Sequence, residues 1–250
     1  MSNPYPLCFS DGKRALAQDI DHRRDLPGAL WDLAHPRPVL VLVGGANSLD
    51  KEVAEWVFPL FRDSLAPRLD RLGAAVIDGG TDSGVMALMG RARTLAGASF
   101  PLIGIAARGT VRMPRETLPP SSTGTPLEPN HTRFLLVPGD RWGDEAAWIV
   151  TAASTLARGA PTATLVVGGG EVTRLDLEHS LREGRPTLLL EGSGGTAHEI
   201  ARATHIGRLD ALGISADQAR LLEITTQDCV VSVVGDLLQG LFVQTVKNLH

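Results

Sequence analysis

The chain has 250 residues, 43% of them hydrophobic, and a formal net charge of −4, which is the balance of an ordinary globular protein with one large core. This charge, without a cluster of Lys and Arg, argues against a DNA or RNA partner. Cys8 and Cys229 lie far apart and the histidines show no HxxxH or HExxH spacing, so we expect neither a disulfide framework nor a metal.

Short apolar runs alternate with helical patterns, which predicts βαβ units and a mostly parallel sheet. We expect strands over 38–43, 74–77, 100–106, 133–137, 162–167 and 186–190, and helices over 84–96, 144–158, 172–183 and 195–203. A helical pattern over 50–72 should be broken at Pro59 and Pro67. The proline-rich segment 109–130 is a long irregular loop, and such loops inside compact domains are often functional.

The two ends of the chain carry weaker patterns. We interpret residues 1–36 as a less regular N-terminal lead-in. Residues 209–250 contain two helical patterns, over 216–222 and 227–246, which we expect to pack on the same domain. The predicted fold is therefore a single α/β, Rossmann-like (Rossmannoid) domain over 37–208, a mostly parallel sheet flanked by helices, with a C-terminal helical extension.

Four of the predicted strands end in glycine clusters. They are Gly44-Gly45, Gly79-Gly80, Gly168 to Gly170 and Gly192 to Gly195. Ligands of an open parallel sheet bind outside the carboxyl ends of its strands, where glycines let the backbone approach a phosphate and the next helix offers its first amides. The sequence thus predicts a phosphate-bearing ligand. Neither GxxxxGK[ST] nor GxGxxG is present, which excludes a Walker-type NTPase and disfavours a hydride-transferring Rossmann enzyme.

Five separated stretches resemble known families. EGSGGTAHE (191–199) is similar to the PGGxGTxxE motif of the LOG nucleotide phosphoribohydrolases, although Glu191 and Ser193 depart from it. The stretches VGGANS, DGGTDSGVMALMG, PNHTRFLLVPGD and VVGGGEVTRLDLEHSLREGRPTLLLEGSGG resemble the LSDAT domain of the SLOG superfamily, shared with melastatin-type TRP channels. The resemblance implies a Rossmannoid sheet that binds nucleotides or their derivatives, ADP-ribose-type ligands in the channels. Prokaryotic members look like sensor modules in nucleotide-signalling and defence systems.

The candidate ligand-binding residues lie at these strand ends and at the helix starts that follow. They are Gly44, Gly45, Ala46, Asn47, Gly79, Gly80, Thr81, Ser83, Gly84, Val85, Gly168, Gly169, Gly170, Glu171, Gly192, Ser193, Gly194, Gly195 and Thr196. Thr81 and Ser83 could donate to a phosphate or cap a helix, and Glu171 suits either ribose hydroxyls or the helix dipole.

Three side chains outside the glycine clusters are further candidates. Arg108 could clamp a diphosphate or lie in a solvated loop. His131 could contact a base or a phosphate, or serve a structural role. Trp142 is a candidate for base stacking, with packing as the alternative.

Glu199 separates the hypotheses about function. Cleavage of an N-glycosidic bond needs a carboxylate beside the anomeric carbon, and the resemblance to LOG enzymes gives Glu199 that role. The chain has no Arg-Lys pair of the kind LOG enzymes carry, which favours Glu199 as a helix cap or a ribose ligand. The first hypothesis is therefore a sensor for ADP-ribose, cyclic ADP-ribose, NAD or AMP. The second is a LOG-like hydrolase with Glu199 as catalytic carboxylate, and the third is a fold kept for assembly with an empty pocket.

The expected partners are a small-molecule nucleotide, a second copy of the chain and, in a longer parent protein, a fused effector domain. The apolar pattern over 227–246 suits a homodimer contact. No apolar run approaches the roughly 20 residues that span a bilayer, and the N-terminus lacks the apolar core of a signal peptide, so we expect a cytoplasmic protein without a membrane partner.

Overall fold

The computed structural model describes residues 2–33, 35–46, 49–114 and 124–240. Its strands are β1 Tyr5–Cys8, β2 Arg14–Asp19, β3 Val39–Gly44, β4 Ala75–Asp78, β5 Leu102–Ala107, β6 Val111–Arg112, β7 Thr125–Pro126, β8 Arg133–Val137, β9 Thr162–Val167, β10 Thr187–Leu190 and β11 Leu222–Thr225. Nine of them form one sheet in the order β1-β2-β8-β5-β4-β3-β9-β10-β11. Only the β1–β2 pair of this sheet is antiparallel, and β6 pairs separately with β7.

Helices cover both faces of the sheet. They are α1 Leu26–Ala29, α2 Lys51–Leu60, α3 Ala66–Arg71, α4 Gly84–Leu95, α5 Ala146–Ala157, α6 Glu171–Arg182, α7 Gly195–His205, α8 Ala216–Ala219 and α9 Val230–Leu238. Along β3, Val39, Val41 and Val43 pack with α1, α5, α6 and α7, whereas Leu40 and Leu42 pack with α2, α3, α4 and α9. Alternate side chains are thus buried on opposite faces, which explains the continuous apolar run. The predicted Rossmann-like α/β fold is confirmed.

The strand order reverses between β3 and β9. From β3 the chain adds β4, β5 and β8 on one side, then returns to pair β9 with the other side of β3. Right-handed crossovers send the connections of the two halves to opposite faces of the sheet. The loops that leave β3 and β9 therefore diverge, which opens a crevice at the carboxyl ends of these two strands.

The interpretation of the N-terminus as an irregular lead-in is wrong. β1 and β2 form a hairpin, and β2 continues the sheet by pairing in parallel with β8. Leu7 of β1 and Ala17 of β2 are fully buried in a third apolar cluster with Phe134. Strands of four and six residues with small side chains such as Ala15 and Ala17 carry too weak an alternation to be read from the sequence.

The prolines and the C-terminal region also differ from expectation. Pro59 lies inside α2, and a π-helical turn over Phe61–Leu65 joins α2 to α3 without a break. Proline has no N–H to donate, and the wider π-helical turn lets the helix continue past the missing hydrogen bond. The helix expected over 216–222 is the short α8, which begins with a Ser215–Gln218 capping box. It is followed by the unpredicted strand β11.

The helix expected over 227–246 begins at Val230, and residues 241–250 lie outside the described residues, as do residues 115–123 of the long loop. α9 packs against α3, β9 and β10. Within the described ranges, no helix is long and apolar enough to cross a membrane.

The hairpin can be tested with one substitution made at two positions. Leu7 is completely buried, whereas Leu16 on the neighbouring strand is 41% exposed. We expect Leu7→Ala to lower the free energy of unfolding by about 2–5 kcal/mol because it leaves a cavity. Leu16→Ala should change it by only about 0.5 kcal/mol. Equal effects in urea denaturation would show that the hairpin does not contribute to the core.

Candidate functional site

A cavity of about 330 Å³ occupies the crevice between β3 and β9. This volume is in the range of small-molecule binding sites. The structure brings these predicted residues to its wall: Gly44, Ala46, Gly79, Thr81, Ser83, Gly170 and Glu171. They come from the ends of β3 and β4 and from the start of α6, so loops from three strand ends meet at one edge of the sheet. Asn47 lies outside the described residues.

The start of α6 offers free main-chain donors at this cavity. Glu171, Val172 and Thr173 line the wall, and in the described chain their amides have no hydrogen-bond acceptor. Such orphan amides, aligned with the helix dipole, attract negative charge. Gly170 precedes them, and a Cβ on this residue would meet no atom within 4 Å, so the approach to the amides is open.

The last glycine cluster has another role. The amides of Thr196 and Ala197, at the start of α7, donate to the carbonyl oxygens of Gly169 and Gly168 at 3.0 and 3.1 Å. The amide of Gly168 donates to Ser193 Oγ at 2.8 Å. The loops after β9 and β10 are therefore bonded to each other, and the Thr196 amide, which the sequence assigned to the ligand, already has a protein acceptor.

Other members of the predicted set hold the loops together. A Cβ on Gly195 would collide with the carbonyl oxygen of Gly169, and one on Gly84 with that of Gly45. The amide of Val85 donates to Gly45 at 3.0 Å, and the Val85 side chain lies in the core. The remaining glycines of the last cluster, Gly192 and Gly194, lie outside the wall of the cavity.

Gly80 is required by packing against the sheet. A Cβ on Gly80 would approach Gly104 Cα at 2.7 Å and the ring of Phe134 at 3.1 Å. The φ of Gly80 is +69°, in the left-handed region that other residues rarely adopt. The glycine next to the cavity is Gly79, whereas Gly80 supports the loop from behind.

His131 belongs to a buried charge cluster, not to the wall of the cavity. Its Nε2 lies 2.8 Å from Asp78 Oδ1 and its Nδ1 lies 2.8 Å from Glu128 Oε2. Asp78 Oδ1 also accepts the Gly80 amide at 2.7 Å, and the small Gly90 leaves room for the Glu128 carboxylate. The cluster fixes the β4–α4 loop, which carries Gly79 and Thr81.

Both ring nitrogens of His131 face carboxylate oxygens, which suits a doubly protonated imidazolium. Complete burial on its own lowers the pKa of His131, but the charge of Asp78 and the hydrogen bonds with Asp78 and Glu128 outweigh it and raise the pKa to about 9. The ring also stacks on Phe134, with centroids 5.3 Å apart. The structural alternative for His131 is therefore the one the geometry supports.

The structure does not bring Arg108 or Glu199 to the cavity. The Arg108 guanidinium pairs with Asp19 at 2.7 Å and lies 3.8 Å from Asp21, at the side of the sheet formed by β2. The Glu199 carboxylate is 53% exposed and lies 3.7 Å from Arg174 Nη1, beside a separate open groove with His198 and Arg202. Both residues are held by surface ion pairs outside the wall of this cavity.

Two buried acids, Glu145 and Asp176, line the cavity and were not among the predicted site residues. Glu145 precedes α5, and its two carboxylate oxygens each lie 3.1 Å from the Gly143 amide. Burial, followed by the charge of Asp144, raises the pKa of Glu145 above its usual range. No Arg or Lys is among the described residues of the wall. The only sequence signal for these acids was their place in the amphipathic patterns of α5 and α6.

Apart from Thr125, the rest of the wall is apolar, and it includes one large aromatic side chain. Leu42, Val43, Met86 and Ile149 are buried, and Trp142 is 50% exposed. An apolar wall beside an exposed indole ring suits a flat aromatic group.

The contact between the glycine loops can be tested with paired alanine substitutions. Gly195 and Gly192 both have positive φ, +50° and +80°, but only at Gly195 would the added Cβ meet protein. We expect Gly192→Ala to cost roughly 1–2 kcal/mol from backbone strain. Gly195→Ala should cost roughly 1–3 kcal/mol more because of the collision. Thermal and urea unfolding measure both, and an equal loss would contradict the close contact.

The buried imidazolium predicts a pH dependence of stability. The folded pKa of about 9 lies above the unfolded value of about 6.5. The stabilisation is therefore complete below the unfolded pKa and is lost as pH rises through the folded one. The free energy of unfolding of the wild type, relative to His131→Gln, should fall over this window by at most about 1.4 kcal/mol per pH unit. A pH-independent difference between the two proteins would show that His131 is neutral when folded.

Comparison with known proteins places the chain in a family. The family described as "SLOG in TRPM, prokaryote" (LSDAT_prok) matches residues 37–233. A TRP cation channel subfamily M member-like 2 from Nematostella vectensis is 28% identical over 211 residues, 69% of this chain. The subfamily M member 2 channel of Mus musculus is 24% identical over 239 residues, 78% of this chain. The chain spans only 13% and 16% of the length of these two relatives.

A solved structure supports the fold. The molybdenum cofactor binding protein from Rippkaea orientalis superposes with a TM-score of 0.52 and 12% identity, over 79% of this chain and 95% of that one. At this identity the likeness concerns the fold alone. The family match over 37–233 extends from the start of β3 into α9, well over half of the sequence, and the chain therefore belongs to the prokaryotic LSDAT family, the SLOG domain found in TRPM-type proteins.

Proposed function

We propose that this chain is a nucleotide-derivative binding domain that senses an ADP-ribose-like or cyclic nucleotide in a bacterial nucleotide-signalling or defence system. The observation that carries the proposal is the cavity at the point where the strand order reverses. Its wall combines the orphan amides of α6, apolar side chains and an exposed indole ring. The amides match a phosphate, and the apolar side chains together with the indole ring match a base.

The distribution of charge supports one orientation of the ligand. The acids Glu145 and Asp176 are buried, whereas the first turn of α6 reaches the exposed rim, where Val172 is 37% exposed. A phosphate is repelled by carboxylates and attracted by helix-start amides. The phosphate group therefore lies at the α6 rim, beside the hydroxyls of Ser83 and Thr81, and the nucleoside part enters the buried end.

The location of Glu199 favours binding over hydrolysis. Its carboxylate lies 3.7 Å from Arg174 beside a different groove and is not part of the wall of the cavity between β3 and β9. The alternative, hydrolysis with Glu199 as the catalytic group, is tested below by measuring product formation.

Binding is tested by thermal shift with ADP-ribose, cyclic ADP-ribose, NAD and AMP. A ligand at 100 times its Kd should stabilise the fold by about 2.7 kcal/mol and raise Tm by several degrees. Gly79→Leu should abolish the shift without unfolding the protein, because Gly79 borders the cavity and a Cβ there would meet no atom within 4 Å.

Glu199→Gln is the matched control. It removes a charge outside the cavity and should leave the shift unchanged. Chromatography of the same samples detects turnover, and product that disappears with Glu199→Gln would replace the proposal with LOG-like hydrolysis. Absence of both a shift and a product with all four compounds would favour a domain kept for assembly.

A further inference from the structure

Asp176 is a buried carboxyl group that has no hydrogen-bond or ion-pair partner among the described residues. It lies on α6, lines the cavity and is 8% exposed. Its Oδ1 is buried without a hydrogen-bond partner, and no hydrogen bond or ion pair joins its side chain to the described residues. Buried polar atoms in proteins are nearly always paired, since an unpaired one reduces stability. An unpaired carboxyl at the wall of a cavity is therefore a group available to a ligand.

The next buried polar residue on the same face of α6 shows the contrast. Ser180 lies one helical turn beyond Asp176, and its Oγ accepts a hydrogen bond from Thr164 Oγ1 at 2.9 Å. Both residues are buried, but within the described part of the chain only the side chain of Ser180 has a hydrogen-bond partner. The pairing of Ser180 shows that this face of α6 can satisfy a polar side chain where the fold alone requires one.

Glu145 is the second buried acid in the wall of the cavity, so two carboxyl groups line the cavity. Burial, and then the charge of Glu145, raises the pKa of Asp176 well above its usual value. The oxygens of a carboxyl group accept hydrogen bonds, and a protonated carboxyl also donates one. A fully ionised phosphate offers only acceptor oxygens, so it cannot donate a hydrogen bond to the unpaired Asp176 Oδ1. In the described chain no group of three His, Cys, Asp or Glu residues is arranged to hold a metal ion.

We propose that Asp176, with Glu145 beside it, forms a subsite that recognises a neutral group which both donates and accepts hydrogen bonds. In a nucleotide this group is a ribose hydroxyl or the amino edge of a purine. The inference rests on the proposed function and deepens it, because it assigns the end of the ligand opposite to the phosphate. Asp176 is on this basis a specificity-determining residue of the site.

The first test needs no ligand. Leu is close to Asp in shape, so Asp176→Leu removes the unpaired carboxyl without leaving a large cavity. We expect the Tm of the ligand-free Asp176→Leu protein to be equal to or above that of the wild type. Ser180→Ala, which leaves Thr164 Oγ1 unpaired, should lower Tm by about 2–4 °C. A comparable loss with Asp176→Leu would assign the carboxyl to the fold and overturn the subsite.

The second test measures affinity by calorimetry. Asp176→Leu should weaken ADP-ribose binding at least tenfold, because it removes hydrogen bonds buried with the ligand. The source of the group is identified with two analogues, one that lacks ribose hydroxyls and one with hypoxanthine in place of adenine. The analogue that lacks the recognised group should bind the wild type at least tenfold more weakly than ADP-ribose and should bind Asp176→Leu as ADP-ribose does.

The two proposals fail in different ways. Equal affinity of the wild type and Asp176→Leu for ADP-ribose would overturn the subsite while leaving nucleotide binding intact. Absence of binding to the wild type by all the nucleotides would overturn the proposed function, and the Tm of ligand-free Asp176→Leu would then decide whether the unpaired carboxyl serves a ligand of other chemistry or the fold.

Discussion

The close approach of backbone loops at the carboxyl ends of β3, β9 and β10 is the constraint on which the site depends. A Cβ on Gly44 would collide with the Val167 carbonyl, and one on Gly195 with the Gly169 carbonyl. Because these loops touch without side chains between them, the β9–α6 loop is held from the side by α7, whose first amides it accepts. The start of α6 keeps its own amides free as a consequence. The start of α7 thus helps to position the start of α6.

The opposite side of the crevice is held by charge. The imidazolium of His131 joins Asp78, at the end of β4, to Glu128, in the loop before β8. A buried ion cluster of this kind adds little net stability, since desolvation offsets the attraction, but loss of one partner is costly. Its effect is to fix position: the Gly80 amide is bound to Asp78, and Gly79 and Thr81 are thereby placed at the wall.

The central part of the fold could be predicted because its strands are buried on both faces. β8 and β9 have the predicted bounds, since a short, mainly apolar run that ends in Pro-Gly or in glycines has few other interpretations. β1, β2 and β11 could not be predicted, because four to six residues at the sides of the sheet show no periodicity strong enough to detect. The sequence also could not show which glycines border the cavity and which pack against a neighbouring loop. Gly168 and Gly170 are only two positions apart in the sequence, yet Gly168 packs against Ser193 and Gly170 borders the cavity.

The same ambiguity explains why the motif that resembles LOG enzymes pointed away from the cavity. In EGSGGTAHE the amides of Thr196 and Ala197 donate to a neighbouring loop, and Glu199 faces solvent beside Arg174. The acids of the cavity come instead from α6 and from the loop before α5, where nothing in the sequence distinguished them from ordinary helix residues. A fold can be kept while the chemistry of its site changes. On the proposed function, α7 contributes to rigidity, the free amides of α6 donate hydrogen bonds to the phosphate, and selectivity arises from the contacts of Asp176 and Glu145 with the nucleoside.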